Sequence, residues 1–269
     1  MPISQNELND YRRFAMSVSQ EAAQYMLSQH GQMQTLEWKI RTNFKTKVDD
    51  ELDAMIREKI TERFPSHSIY SEENKDKEGS EFCWVVDPLD GTIPFTYSGV
   101  IDHFSVCISL AYQKLPIVGV INAAKRRELY VAAEGAGAFC NGQRLRGYHG
   151  DDIHSAWVGF AEGKESPERK RGAIFDYLKK LSGPEGILSP FSGGCASVPL
   201  ALVASGKMQG YIALNLEPWD MAAAVVINKG AGNIVTTIDG REWSVGEPSI
   251  LTANPSLHSK LLQKLHGLS

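Results

Sequence analysis

Two acids bracket a tight apolar bend in the stretch FCWVVDPLDGTIPF, where Asp87 and Asp90 enclose Pro88-Leu89 and are followed at once by Gly91-Thr92. A turn needs glycine and one short polar residue; it does not need two carboxylates at this spacing. Placed behind an apolar run, such a pair turns towards one point. Hard cations such as Mg²⁺ want oxygen ligands in a near-octahedral array and keep several waters. Gly91 and Thr92 would offer successive backbone N–H groups to a phosphate oxygen, above all if a helical turn begins there. Two other acidic segments are candidates to complete the centre: Ser71-Glu72-Glu73, and Glu217-Pro218-Trp219-Asp220 at the head of an Ala- and Val-rich run. Acids from three segments suit a two-cation centre, with ions about 3.5–4 Å apart, that activates water and stabilises the leaving oxygen of a phosphate ester.

The same acids have plainer uses. Asp49 and Asp220 fall in predicted first turns, where a carboxylate simply favours the helix dipole. Glu72-Glu73 taken alone is a solvated pair. The Asp87 to Thr92 stretch resists that treatment, because its acids and Gly-Thr exceed what a turn requires.

The elements that must position these residues follow from periodicity. Leu8, Tyr11, Ala15, Val18, Ala22 and Tyr25 recur every three or four residues and predict a long amphipathic first helix. Val48, Leu52, Met55, Ile56 and Ile60 mark a second, with Thr46 and Asp49 in capping-box positions. Leu36 to Phe44 alternates loosely between them. Short β-rich runs follow at Phe82–Val86, Phe104–Leu110, Ile117–Asn122 and Leu129–Ala133, then an Asn141-Gly142 hairpin turn. Asp87 is expected where the first of these strands leaves its sheet. From Ala156 onward strands and helices alternate: a helix over Pro167–Leu181, a strand over Gly186–Phe191, a helix over Val198–Ser205 stopped by Gly206, and one over Trp219–Lys229. That alternation predicts an α/β layer. The polar stretch Arg146 to Ser155 divides the chain into residues 1–150, an α+β half carrying most of the acids, and 151–269, an α/β half carrying Asp220.

Composition narrows the classes. The 269 residues suffice for a real core, and a net charge of −4 argues against a general nucleic-acid or anionic-membrane surface. The four cysteines are far apart with no CxxC, which favours a reducing compartment over a disulfide framework. No apolar run approaches the roughly 20 residues that span a bilayer. The opening MPISQNELNDYRRF is polar and mixed in charge rather than secretory, so a cytoplasmic protein is expected.

Taken in order, "YSEE", "WVVDPLDGT" and "EPWDMAAA" resemble the inositol monophosphatase family, the Mg²⁺-dependent, lithium-sensitive phosphomonoesterases that include fructose-1,6-bisphosphatases, adenosine 3′,5′-bisphosphate phosphatases and histidinol-phosphate phosphatases. "TKVD", "GAFCNGQRL" and "ALVASG" extend the resemblance over nearly the whole chain. It implies an αβαβα layered sandwich, a homodimer, and hydrolysis of a small phosphorylated metabolite, most of all an inositol-1-phosphate type, by metal-activated water. It implies two or three Mg²⁺ ions: a first site on Glu72, Asp87 and the Leu89 carbonyl, a second on Asp87, Asp90 and Asp220. Glu72 and Thr92 would hold the water, and Asp49 would accept from the Thr92 hydroxyl. The backbone of Gly91 and Thr92 would bind phosphate, and Gly194-Cys195-Ala196 would lie along the substrate's alcohol portion.

There are departures. Where the family often continues Thr-Asn-Phe, this chain has Ile93-Pro94-Phe95, and where inositol phosphatases carry a glutamate seven residues before the motif Asp it has Ala213. A missing hydrogen-bonding partner lowers affinity for a hydroxylated substrate, which keeps histidinol phosphate, fructose-1,6-bisphosphate and adenosine 3′,5′-bisphosphate open as substrates. Some family members also serve in RNA-polymerase or ribosomal-RNA assemblies, and the basic run Lys164 to Lys180 is a candidate docking face. Two other phosphatase chemistries fit worse. An aspartyl phosphotransferase spaces its two acids by two residues rather than three. Cys140 to Arg146 has the Cys-x5-Arg count but holds a hairpin Asn-Gly instead of a phosphate-wrapping loop. The seven histidines lack zinc spacing and read as surface or core residues.

Overall fold

The structure, a computed structural model, describes residues 3–40, 43–74, 79–163 and 172–266. The first periodic run forms α1 (Gln5–Gln29), whose Ser4–Glu7 capping box satisfies the opening N–H groups and whose buried stripe is Leu8, Ala15, Val18, Ala22 and Met26. An antiparallel pair, β1 (Leu36–Ile40) and β2 (Asn43–Thr46), leads into α2 (Lys47–Arg63), capped by Thr46 and Asp49 as the sequence implied. Then come β3 (Ser68–Ser71), β4 (Phe82–Asp90), the one-turn α3 (Thr92–Thr96), β5 (Ser105–Tyr112), β6 (Leu115–Ala123), β7 (Glu128–Ala133), β8 (Gly137–Cys140) and β9 (Gln143–Arg144). The second half holds β10 (Trp157–Glu162), α4 (Ala173–Leu181), β11 (Ser189–Phe191), α5 (Ser197–Ala204), β12 (Gly210–Leu214), α6 (Pro218–Gly230), β13 (Ile234–Thr236), β14 (Ile250–Ala253) and α7 (Pro255–Leu265).

Strands β3 to β9 build a seven-stranded sheet in sequence order, antiparallel except for β3 beside β4. The other sheet has five strands ordered β11-β10-β12-β14-β13, with the first three parallel. Helices α1 and α2 cover one face of the larger sheet. Helices α5 and α6 lie between the sheets, and α4 and α7 close the far side on β10 and β14. The order is therefore αβαβα.

Position explains composition here. Helix α6 touches strands of both sheets and is buried from Pro218 to Asn228 save for the half-buried Asp220, which is why its sequence is apolar all round rather than on one stripe. Strand β6 meets it closely. A Cβ on Gly119 would run into the Ala223 carbonyl oxygen, so only glycine lets the helix seat. A core cluster joins Val85, Cys107 and Ile121 of the large sheet to Leu200, Ala222 and Trp243. The segment 146–155 carries the chain from the edge of the first sheet to the second.

Two expectations change. Asp87 does not leave the sheet: β4 continues to Asp90 through a bulge, with Asp87 opposite Cys107 and Asp90 opposite Ser105, so two residues face one. Pro88 has no N–H for the ladder, and the bulge absorbs it. The fourth helix begins at Ala173 among the described residues; residues 164–171 of the basic run lie outside them. No helix among the described residues is long and apolar enough to cross a membrane.

Candidate metal centre

The bulge sets the site. With Pro88 and Leu89 looped out of register, the Asp87 carboxylate turns back and its Oδ1 accepts the Leu89 N–H at 3.0 Å. Gly91 then enters the left-handed region at φ 90°, and a Cβ there would stand 2.5 Å from the His103 carbonyl oxygen. Glycine is the one residue that reverses the chain here without strain. Its reversal starts α3, closed by the Phe95 N–H to Gly91 O bond of 3.0 Å. The N–H groups of Gly91 and Thr92 open this turn, where no intrahelical acceptor exists for them.

Asp87, Asp90 and Asp220 converge: one carboxylate oxygen from each lies within 4.8 Å of the others. Asp220 arrives on the first turn of α6, where its Oδ2 accepts the Glu217 N–H at 2.9 Å. Asp90, only 7% exposed, is held from the opposite side by the start of α5. Its Oδ2 takes the Ser197 N–H at 2.7 Å, the Ala196 N–H at 3.1 Å and the Cys195 thiol at 2.9 Å. Burial pushes the Asp90 pKa up; the donors from Cys195 and Ser197 pull the other way, and the nearby Glu72 charge raises it further.

Asp49 caps α2 and reaches the site with the same carboxylate. Its Oδ2 accepts the Thr46 N–H and hydroxyl at 2.8 and 2.7 Å, while Oδ1 accepts the Thr92 hydroxyl at 3.1 Å. Burial raises its pKa, the Thr46 bonds oppose that, and Glu72 adds to it. Leu89 is buried, with its carbonyl 3.4 Å from the Thr92 hydroxyl. Glu72 stands outside the aspartate trio. The Lys39 ammonium, on β1, lies 3.3 Å from Glu72 and 2.5 Å from Glu73. Burial disfavours the Lys39 charge, but Glu72 and Glu73 outweigh it and leave its pKa raised. Burial pushes the Glu73 carboxyl up to about 7 against the pull of Lys39.

Gly194 is exposed beside Ile93 and Pro94, whereas Cys195 and Ala196 are buried and face Asp90. Ala213 is buried on β12 opposite Ala161 and Ile250. Sequence reasoning missed Lys39, Ser197 and Ser105, and named Glu73 only as part of its acidic segment. The two serines bond hydroxyl to hydroxyl at 2.7 Å behind Asp90. No local pattern marks a pair 92 residues apart; for Lys39, its place between Trp38 and Ile40 in a strand was the only signal.

The donor set fits a hard cation. Three carboxylates crowded in a mostly buried place repel one another, and oxygen-only ligands suit Mg²⁺ rather than zinc or copper. Comparison with known proteins agrees. Residues 7–269 match the inositol monophosphatase family. An inositol-1-monophosphatase of Synechocystis sp. is 32% identical over 97% of this chain and 91% of its own length. The Nus factor SuhB of Escherichia coli is 31% identical over 83% of this chain and 82% of its own. The crystal structure of extragenic suppressor protein suhB from Bartonella henselae superposes with a TM-score of 0.86 at 25% identity, covering 95% of this chain and 98% of that one. A match running almost from end to end, on a layered fold with the three motif aspartates brought together, leaves one conclusion: this chain belongs to the inositol monophosphatase family.

Proposed function

We propose that the protein is a Mg²⁺-dependent phosphomonoesterase acting on a small phosphorylated metabolite of the inositol-1-phosphate type. The observation that carries this reading is the convergence of Asp87, Asp90 and Asp220 from β4 and the head of α6. In it, Glu72, Asp87 and the Leu89 carbonyl hold one cation, and Asp87, Asp90 and Asp220 hold a second. A bound divalent cation there neutralises phosphoryl charge and supplies an acidic water. The chain's own groups do the rest. Thr92 and Glu72 orient the water, and Asp49, accepting the hydrogen bond of the Thr92 hydroxyl, turns the hydroxyl's lone pairs towards it. The N–H groups of Gly91 and Thr92 receive the phosphate. The loop at Gly194 to Ala196 borders the alcohol portion, with Ile93 and Pro94 beside Gly194. Such a reaction runs on positioning and charge neutralisation, with no covalent enzyme intermediate.

A panel of small phosphomonoesters, with inositol-1-phosphate, histidinol phosphate, fructose-1,6-bisphosphate and adenosine 3′,5′-bisphosphate among them, assayed with and without Mg²⁺ tests the reading. Turnover that needs Mg²⁺, is inhibited by lithium at the second site and is lost in Asp90→Asn supports it. No turnover of any ester refutes it. A second reading, as a non-catalytic assembly factor, is favoured by the name of the Escherichia coli relative, Nus factor SuhB. Partner binding that persists in Asp90→Asn, with no turnover in the parent protein, would select it. A homodimer in the cytoplasm completes the proposal, and light scattering of the purified chain reads the first part.

A further inference from the structure

Asp90 is gripped unevenly. Oδ2 takes three donors at 3.1 Å or less, from Cys195, Ala196 and Ser197, whereas Oδ1 has only a long contact of 3.4 Å from the Ala196 N–H. An ionised carboxylate offers about four acceptor positions. Three donors therefore exhaust Oδ2 and leave lone pairs on Oδ1. Two of the donors are backbone groups opening α5, which any residue would supply. The third is a side chain, which a substitution can remove: Cys195 is 6% exposed, and its thiol donates to Asp90 Oδ2.

The helix start that carries these donors is itself tied down. The Ser197 hydroxyl bonds the Ser105 hydroxyl at 2.7 Å, and Ser105 is the residue opposite Asp90 across the β4–β5 bulge. Ser105 also lies 3.3 Å from the Cys107 sulfur. The strand that pairs with the ligand thus anchors the helix that grips it.

We propose that Cys195 is a positioning residue for the cation centre: its thiol, backed by the Ser105–Ser197 clamp, fixes Asp90 through Oδ2 so that Oδ1 faces the site shared with Asp87 and Asp220. The inference rests on the cation-binding reading above. It separates two effects of the same hydrogen bond. A donor on a carboxylate draws charge away and weakens its hold on a cation; a donor that fixes the rotamer removes an ordering cost and strengthens it. The two act in opposite directions, so a single measurement tells which wins.

The experiment is calorimetric titration of Mg²⁺ into substrate-free wild type, Cys195→Ala, Cys195→Ser and Ser105→Ala, with melting curves to verify folding. Loss of the thiol donor raises the Mg²⁺ Kd about five-fold, below the range for a bond to a charged group because a thiol donates weakly. Serine keeps a donor and stays within about two-fold of wild type, below the effect of losing one such bond. Ser105→Ala keeps the backbone pairing with Asp90 and removes only the hydroxyl bonded to Ser197, yet weakens binding in the same direction by loosening α5, and it carries the test if Cys195→Ala fails to fold. Unchanged or tighter binding in both Cys195→Ala and Ser105→Ala overturns the proposal. Equal weakening in the alanine and serine variants at 195 also overturns it, since packing and not the donor would then be at work. If wild type takes up no Mg²⁺, the phosphatase reading falls first and the inference with it.

Discussion

Asp49→Asn keeps the size of a side chain that serves two elements and removes its charge. In the protein, Oδ2 receives the Thr46 N–H and hydroxyl at 2.8 and 2.7 Å, and Oδ1 receives the Thr92 hydroxyl at 3.1 Å. Asparagine has one acceptor oxygen and one NH₂ group, so it cannot replace both sides. With the oxygen on the cap, two charge-assisted bonds become neutral ones, a loss of about 1 kcal/mol each. The first turn of α2 also loses a charge worth about 0.5 kcal/mol. Burial works the other way, because Asp49 is held against desolvation and a neutral amide escapes that penalty. The net is a destabilisation of about 1–2 kcal/mol, read as a Tm drop of about 2–4 °C for a chain of this size.

Turnover changes far more. The NH₂ group now faces Thr92, so the hydroxyl must accept where it had donated, and its proton swings towards the acid cluster in place of its lone pairs. Misplacing one such polar partner of a reacting group costs about 10²–10³-fold in kcat. The assay combines the Tm, kcat on the ester panel at saturating Mg²⁺, and the Mg²⁺ Kd. A Tm drop of the expected size with kcat within about three-fold of wild type, well short of the range for a positioned partner, would refute the reasoning: Asp49 would be a helix cap and nothing else.

Other expectations follow from the same contacts. Asp87→Asn, which serves both cation sites, abolishes Mg²⁺ uptake by calorimetry, Asp220→Asn removes only the second-site uptake, and each cuts turnover by about 10³-fold or more while the melting transition survives, since each removes a charged oxygen from the trio; normal uptake would remove them from the ligand set. His103 is 7% exposed and its pKa falls to about 4, chiefly through burial and then through Arg126, from an ordinary 6.5. A depressed pKa means that the folded protein resists protonation. Its contribution is complete above pH 6.5 and is lost as the pH falls towards 4, a change of up to about 3 kcal/mol. His103→Gln therefore flattens the Tm-against-pH curve in that window, and a curve parallel to wild type would show that the histidine is not the group responsible. Gly119→Ala pushes a methyl into the Ala223 carbonyl and costs about 1–3 kcal/mol by overpacking; an unchanged Tm would contradict the close seating of α6 on β6.

Local signals were legible in the sequence, and distant pairings were not. The first two helices, the capping pair Thr46–Asp49 and the Asn141-Gly142 turn are set within a few residues, and the last shows positive φ at both positions as a two-residue hairpin requires. The family resemblance supplied the layer order that periodicity could not, since α6 is buried against two sheets and carries no amphipathic stripe. The bulge was half visible: Pro88 announced an interruption, but whether the chain left the sheet or re-entered it depended on β5, whose Ser105 pairs with Asp90. The grip of Cys195 on Asp90 spans 105 residues, and nothing near either predicts it. Trp38 is 59% exposed on β1, with the Phe44 ring packed edge-on against it across the two-stranded pair.

Capping and catalysis had stood as rival explanations of the acids, and the geometry removes the rivalry. Each of four carboxylates gives one oxygen to a backbone N–H: Asp49 to Thr46, Asp87 to Leu89, Asp90 to Ala196 and Ser197, Asp220 to Glu217. Four of these five donors open α2, α5 and α6, whose N-terminal dipoles favour negative charge. A cluster of acids is hard to assemble without its cation, because like charges in a poorly hydrated place repel. Helix starts aimed at one point supply partial positive charge that the unfolded chain cannot, so the structural role of each acid is what lets the cluster exist ready for an ion. The consequence is specific: the metal-free protein should fold cooperatively, and Mg²⁺ should raise its Tm by the modest amount that mass action allows, growing with the logarithm of concentration once binding is saturated. An unfolded or molten apo-protein that acquires structure only on adding Mg²⁺ would mean that the cation, and not the helix termini, builds the site.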